Sequence, residues 1–134
     1  MSRRGAVSVP PLPATVGSLT LRHAVMTASG TAGHGAELAS FFPLQELGAL
    51  VVKSLSAEPW AGNPAPRVHP TGGGMLNSVG LQGRGVAFWR DEELPELRAT
   101  GAAVVASIWG RTVEEFARAA ELLADLGPEG WRSR

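Results

Sequence analysis

Polar side chains that could bind a ligand stand where three apolar stretches of the chain end. These residues are Ser29 (stretch 25–29), Lys53 and Ser54 (stretch 49–54) and Ser107 (stretch 102–109). Hydroxyl groups can donate and accept hydrogen bonds, and an ammonium group pairs with an anion. Glycines next to these residues would let the backbone approach a ligand closely. Together they indicate a binding site for a planar or anionic ligand.

Lys53 is the only lysine of the chain, because every other basic residue is an arginine. It directly follows the apolar run 50–52, so two roles are compatible with its position. Its side chain either extends to solvent, as lysines at strand ends commonly do, or faces a ligand. Ser29 and Asn77 also have two possible roles, because each could contact a ligand or simply hydrogen-bond to nearby backbone.

The segment 71–83, with the sequence TGGGMLNSVGLQG, mixes glycines with apolar and amide side chains. Its pattern fits neither a regular strand nor a helix, so we expect an irregular loop. Because it follows the stretch that ends in Lys53 and Ser54, we expect it near the same group of polar residues.

The elements that must position these residues alternate along the chain. Residues 15–25 predict a short strand pair, and continuous apolar runs predict strands covered on both faces. The predicted strands are 25–29, 49–54 and 102–109, and the predicted helices are 36–42, 86–100 and 112–126. We expect the second helix to be interrupted or to end near Pro95. This order predicts parallel βα units, whose ligands bind at the carboxyl ends of the strands.

The last helix has the clearest sequence signals. Thr112 and Glu115 have the spacing of a capping box, and Gly127-Pro128 is a stop signal. Helical spacing predicts one buried face, made of Val113, Phe116, Ala117, Ala120, Leu123 and Ala124. The pair Glu92-Glu93 is predicted to lie on a solvated helix face, and the three histidines lack the spacing of metal ligands.

Composition excludes several classes of protein. The formal net charge is +0, which gives no reason to expect nucleic acid as a partner. The chain has no cysteine, so disulfides and thiolate metal sites are excluded within it. No apolar run approaches the roughly 18 residues of a membrane-spanning helix. We therefore expect a cytoplasmic protein without a membrane partner.

Four segments carry a family resemblance. They are VMTASGTAGHG (25–35), LGALVVKSLSAEPWAGNPAPRV (47–68), GGMLNSVGLQGRGV (73–86) and VVASIWGRTVEEFA (104–117). In this order they resemble the start of dihydroorotate dehydrogenase, specifically its soluble class 1 branch. The joint pattern A-S-G, V-K-S, G-N-P-x-P-R and M-L-N-S-x-G-L-Q is specific.

The resemblance implies the N-terminal part, about three βα units, of a (β/α)8 TIM barrel, with a short β-hairpin-like segment before it. It implies FMN at the carboxyl-terminal mouth and oxidation of dihydroorotate to orotate in pyrimidine (UMP) synthesis. The implied FMN contacts are Ser29, Lys53, Ser54 and Ser107, although many class 1 relatives carry asparagine at the last position. The implied substrate contacts are Lys53, Asn77, Ser78, Val79, Gly80 and Leu81. Met75 and Leu76 would anchor this loop as a lid.

The resemblance also divides the chain. Residues 1–15 are expected to be loose and Pro-rich, residues 16–127 to form the partial barrel, and residues 128–134 to be a divergent tail. The catalytic base is expected beyond residue 134, so we expect the chain alone to be inactive. A homodimer and an iron–sulfur/FAD electron-transfer subunit are both compatible with the resemblance, and fumarate and NAD both stay open as electron acceptors. Two alternatives remain: a dihydropyrimidine dehydrogenase-type flavin oxidoreductase, and a non-enzymatic degenerate half-barrel.

Overall fold

The computed structural model describes residues 10–124 and 126 and has a mixed α/β architecture. In chain order its elements are β1 (Ala14–Val16), β2 (Leu19–Leu21), two 3-10 helices (Glu37–Ser40 and Leu44–Glu46), β3 (Leu50–Val51), β4 (Val68–Thr71), β5 (Gly74–Asn77), α1 (Gly85–Phe88), a π-helical turn (Trp89–Glu93), α2 (Leu94–Ala99), β6 (Val104–Val105) and α3 (Val113–Ala124). β1 and β2 pair antiparallel, which confirms the predicted short strand pair. The helix predicted at 36–42 is only a single 3-10 segment.

A parallel ladder joins the three predicted strands. β3 pairs with β6, and single bridges extend the ladder from Met26 to Ala49 on one side and from Leu55 to Ile108 on the other. Backbone hydrogen bonds continue it on both sides of β3. The segment 25–29 therefore lies beside 48–55, which lies beside 103–109. Since all three run parallel, their carboxyl ends meet at one edge.

Thr27 and Gly48 attach the first of these segments to β3. The Val51 N–H donates to Thr27 Oγ1 at 2.8 Å, and Thr27 Oγ1 donates to the Val51 carbonyl at 3.3 Å. A Cβ on Gly48 would lie only 1.9 Å from the carbonyl oxygen of His23. The two segments can approach this closely because position 48 carries no side chain.

The core lies between the ladder and the helical stretch 85–99. The largest fully buried side chains are Leu21, Leu44, Leu50, Val52, Val86, Trp89 and Leu97. The predicted interruption near Pro95 is confirmed, because a π-helical turn (Trp89–Glu93) separates α1 from α2, which begins at Leu94 and continues to Ala99. Proline lacks the N–H of a helical hydrogen bond, but the first turn of a helix does not need that N–H, so Pro95 is compatible with the start of α2.

α3 confirms the predicted helix but, of its predicted buried face, only Leu123. The Glu115 N–H donates to Thr112 Oγ1 at 3.3 Å, as a capping box requires. Val113 is 78% exposed and Phe116 is 43% exposed, whereas Ala119 and Leu123 are buried. The apolar stripe is wider than one face, and contacts with the rest of the fold select which part is covered. Within residues 10–124 and 126, no helix has the length and hydropathy needed to cross a membrane.

Candidate functional site

Three predicted site residues form a row of hydroxyl groups across the ladder. Ser54 Oγ lies 3.1 Å from Ser29 Oγ and 2.8 Å from Ser107 Oγ, so it joins one serine from each neighbouring segment. Ser29 Oγ also donates to the Val52 carbonyl at 3.1 Å. The row exists because each serine follows an apolar strand and the three strand ends meet at one edge. It presents hydrogen-bond donors and acceptors along that edge.

Lys53 is the sequence neighbour of Ser54 and lines an open cleft of about 890 Å³, whose lining includes none of the three serines. Its backbone N–H donates to the Gly33 carbonyl at 2.9 Å, which ties the end of β3 to the glycine-rich segment 30–35. The side chain is half-buried. Two partly exposed aromatic side chains, those of Trp60 and Phe88, line the cleft, and the buried Trp89 lies behind them at only 1% exposure. The cleft therefore combines a cation with flat apolar surfaces.

Other charged groups of the cleft were not anticipated from the sequence. Arg84 lines it, with its guanidinium carbon 3.2 Å from the centroid of the Phe88 ring. Glu93 also lines it and is half-buried, whereas its neighbour Glu92 is exposed as predicted for a solvated helix face. Burial raises the pKa of Glu93, while the nearby charge of His34 opposes the rise. Within the described residues, no group of three or more His, Cys, Asp or Glu side chains is suited to hold a metal ion.

Residues 68–77 form a hairpin, so the prediction of an irregular loop for 71–83 is wrong over its first half. β4 pairs antiparallel with β5 from Val68 opposite Asn77 to Thr71 opposite Gly74. Two of the glycines lie in the turn, which is why a composition poor in strand formers still permits pairing. Met75 and Leu76 are each 64% exposed, so they do not anchor the segment within the described structure.

The second half of the segment, 78–83, is held by side chains from residues 60–67. Asn63 Nδ2 donates to Ser78 Oγ at 2.8 Å and to the Ser78 carbonyl at 3.0 Å. Trp60 Nε1 donates to the Gly80 carbonyl at 2.9 Å. Gly80 has φ +77°, and a Cβ there would lie 2.8 Å from the Asn63 backbone nitrogen. Glycine is therefore required at position 80 by contacts within the chain itself.

Trp60 is in turn held by aromatic and cationic contacts. Its ring meets that of Trp109 edge to face at a centroid separation of 6.2 Å, and Arg111 lies over it at 4.4 Å. Arg111 also forms an ion pair with Glu115 at 2.8 Å, which lowers the pKa of that carboxyl group. These contacts link Trp60, which holds Gly80, to Glu115 near the start of α3.

The structure thus brings some predicted site residues together and leaves others apart. Ser29, Ser54 and Ser107 are hydrogen-bonded, and Lys53 is adjacent in sequence to the central serine. In the part of the chain described, no hydrogen bond joins the exposed Asn77 to Lys53 or to the serine row. Of the remaining loop residues, Ser78 and Leu81 are exposed, whereas Val79 and Gly80 are half-buried.

Sequence reasoning missed two kinds of residue at the site. Trp60 and Asn63 lie inside a Pro/Gly-rich stretch that shows no periodicity, so only the quoted G-N-P motif could have drawn attention to it. Arg84 directly precedes the helical stretch 85–99 and Glu93 lies within it, and charged residues at such positions are usually solvated. The signal for Glu93 was its position one residue before the buried Leu94.

The polar groups gathered at the carboxyl ends of these parallel strands lie where α/β proteins commonly bind ligands. A sequence model of the dihydroorotate dehydrogenase family matches residues 12–128, and the chain belongs to that family. This confirms the resemblance and agrees with the mixed α/β fold.

The curated relatives are much longer than this chain. It is 50% identical over 119 residues to the catalytic subunit of dihydroorotate dehydrogenase B (NAD(+)) from Thermoanaerobacter sp. (strain X514), covering 89% of this chain and 39% of that protein. It is 45% identical over 117 residues to the subunit of the same name from Geotalea uraniireducens (strain Rf4). That match covers 87% of this chain and 38% of that protein. It is 45% identical over 120 residues to the subunit of the same name from Geobacter sulfurreducens, and the match covers 90% of this chain and 39% of that protein. The chain spans about two-fifths of the length of these relatives.

Proposed function

We propose that this chain contributes part of the active site of an FMN-dependent dehydrogenase that oxidises dihydroorotate to orotate in pyrimidine synthesis. The observation that carries the proposal is the serine row beside Lys53, at the edge where three parallel segments end. Family membership supports the same reaction, because the relatives are named as dihydroorotate dehydrogenases.

The donor set at this edge fits the pyrimidine part of a flavin ring. Hydroxyls of Ser29, Ser54 and Ser107 can donate to or accept from its carbonyl and nitrogen atoms, and Lys53 supplies a positive charge. FMN, when bound, would accept the hydride that dihydroorotate loses. The part of this chain would be to hold that ring and to place Lys53 where reduction concentrates negative charge.

We further propose that the ladder is the first part of an eight-stranded barrel, with about three βα units in this chain. The side-by-side order of 25–29, 48–55 and 103–109 supports this, since consecutive strands are neighbours in such barrels. The substrate would then lie at the mouth between Lys53 and the segment Asn77–Leu81. The Asn77 amide offers both a donor and an acceptor to a uracil-like ring, and its exposure leaves it accessible.

Electron transfer to NAD through a partner subunit is part of the proposal. The relatives are named catalytic subunits of an NAD(+)-dependent enzyme, which supports a second subunit and this acceptor rather than fumarate. An iron–sulfur/FAD protein has the chemistry to carry electrons one or two at a time between a flavin and NAD.

A hybrid protein tests the function. Residues 12–124 of this chain would replace the matching region of the Thermoanaerobacter relative, and flavin absorbance would be followed after adding dihydroorotate without oxygen. We expect the flavin band to bleach, and Lys53→Gln to slow the bleaching by about 100-fold or more, as loss of an electrostatic group at developing charge typically does. Arg22→Gln, which changes an exposed charge on another part of the surface, is the matched control. A folded, flavin-loaded hybrid that does not bleach would refute the proposal.

A further inference from the structure

The parallel ladder is irregular at the position that carries Lys53. Position 51 pairs with position 105, and position 55 pairs with position 108. Three residues (52–54) therefore lie between these pairs on the Lys53 segment, but only two (106 and 107) lie between them on its neighbour. An extra residue of this kind is a β-bulge, which disrupts pairing locally and redirects nearby side chains. The ladder alone therefore does not determine where the Lys53 side chain points.

A contact outside the ladder fixes the backbone of Lys53 instead. Its N–H donates to the Gly33 carbonyl at 2.9 Å, whereas the N–H of the preceding Val52 donates to the Val105 carbonyl within the ladder at 3.1 Å. The ammonium group stands at the end of a flexible four-carbon stem and has no rigid geometry of its own. The position of the Gly33 carbonyl therefore limits which points the ammonium group can reach.

The residues next to Gly33 are held by two side chains. The peptide between His34 and Gly35 is fixed at both ends, because its carbonyl accepts from the buried Trp89 Nε1 at 2.8 Å and its N–H donates to Glu37 Oε2 at 3.0 Å. The same carboxylate packs against Gly33, where a Cβ would lie 3.1 Å from both of its oxygen atoms. Gly33 has φ +73°, and glycine leaves such a conformation as easily as it adopts it. The packed carboxylate restricts that freedom.

We propose that Glu37 is a positioning residue, which holds the Gly33 carbonyl in place and so sets the position of the Lys53 ammonium group. This inference rests on the proposed function of Lys53 and extends it to a carboxylate outside the serine row. Position matters because an error of about 1 Å in a reacting group can slow a reaction by about 100-fold. The role requires an acceptor for the Gly35 N–H rather than a charge, so glutamine should replace Glu37 and alanine should not.

Amide hydrogen exchange in the purified chain tests the first half of this inference. In Glu37→Ala the Lys53 amide should exchange about five- to tenfold faster, because its acceptor loses a support. The Val52 amide, which is bonded within the ladder, is the internal control and should keep its rate. Both amides should exchange at wild-type rates in Glu37→Gln. Glu46→Ala, at an exposed glutamate of the other 3-10 helix, is the matched control and should change neither rate.

Flavin bleaching in the hybrid protein tests the second half through a double-mutant cycle. Glu37→Ala should slow bleaching by dihydroorotate about five- to tenfold, and Glu37→Gln should restore the wild-type rate. In a Lys53→Gln background, Glu37→Ala should cause no further slowing, because the side chain that it positions is already gone. A merely structural role would slow bleaching by the same factor in both backgrounds.

The outcomes separate this inference from the proposed function. An unchanged exchange rate at Lys53 in Glu37→Ala, an equal rise at Lys53 and Val52, or equal slowing of bleaching in both backgrounds would overturn the inference and leave the proposed reaction in place. A hybrid that does not bleach would refute the proposed function, whereas faster exchange confined to Lys53 would still support the hold of Glu37 on its backbone.

Discussion

Gly48→Ala should strongly destabilise the protein, because an added Cβ would lie 1.9 Å from the carbonyl oxygen of His23. Real Cβ atoms do not approach within 3.0 Å, so the two backbones must separate by at least about 1.1 Å, the difference between these distances. Two hydrogen bonds depend on that approach, from the Gly48 N–H to the Val25 carbonyl at 2.8 Å and from the Thr27 N–H to the Ala49 carbonyl at 3.2 Å.

Losing these bonds costs about 1 kcal/mol each, and the steric shift adds about 1–3 kcal/mol. We therefore expect the free energy of unfolding to fall by about 3–5 kcal/mol, a large share of the roughly 5–15 kcal/mol typical of a domain. Urea unfolding followed by tryptophan fluorescence and circular dichroism measures the change. Gly72→Ala is the matched control, because a Cβ there meets no atom within 4 Å, and it should change stability by less than about 0.5 kcal/mol.

A loss below about 1 kcal/mol for Gly48→Ala would show that the strand attachment is not as tight as these distances require. The consequence also reaches the site, since Gly48 sets how closely the segment ending in Ser29 approaches the one ending in Ser54. A displaced first segment should lengthen the 3.1 Å contact between these hydroxyls.

Three further changes have defined outcomes. Trp60→Phe keeps an aromatic ring but removes the N–H that donates to the Gly80 carbonyl. We expect the free energy of unfolding in urea to fall by about 1 kcal/mol and amide exchange in residues 78–83 to become faster. Unchanged exchange would contradict this prediction. Ser54→Ala removes the central hydroxyl of the serine row and should weaken FMN binding by the hybrid about five- to tenfold in fluorescence titrations, whereas equal affinity would exclude a flavin contact there. Burial raises the pKa of Glu93 above its usual 4.5, so the folded state holds this proton more tightly and stability falls as pH rises through the window above 4.5. Glu93→Gln should flatten that part of the profile of urea midpoint against pH, and an unaltered slope would contradict the assignment.

Much of the ladder and the serine row could be predicted from the sequence because both depend on local pattern. Apolar runs such as 49–54 are continuous, and Ser29, Ser54 and Ser107 each stand at the end of one. Parallel pairing then brings the ends together without further information, since the carboxyl ends of parallel strands share an edge.

The hairpin could not be predicted because its pairing depends on residues outside the segment 71–83. β4 begins at Val68, in a Pro-rich region that gives no strand signal, and Pro70 lies within it. Met75 and Leu76 are apolar, but their burial depends on what packs against the hairpin rather than on their own type.

The covered faces of the helices also depend on tertiary contacts. The apolar side chains of α3 extend around more than one face, so spacing alone cannot decide between Phe116 and Ala119. Only the position of the helix against the rest of the fold makes Ala119 fully buried while Phe116 remains 43% exposed.

The paired hydrogen bonds between Trp60 and Gly83 close residues 60–83 into a unit whose two ends lie side by side. The tip of such a segment can change in length or sequence with little effect on the flanking elements, because the entropy of loop closure grows only slowly with loop length. The exposed tip at Gly72 and Gly73 is therefore a natural place for lineages to vary and for an engineer to insert a reporter or exchange a hairpin. Such insertions would change the exposed surface of the hairpin 68–77 while leaving the parallel ladder in place.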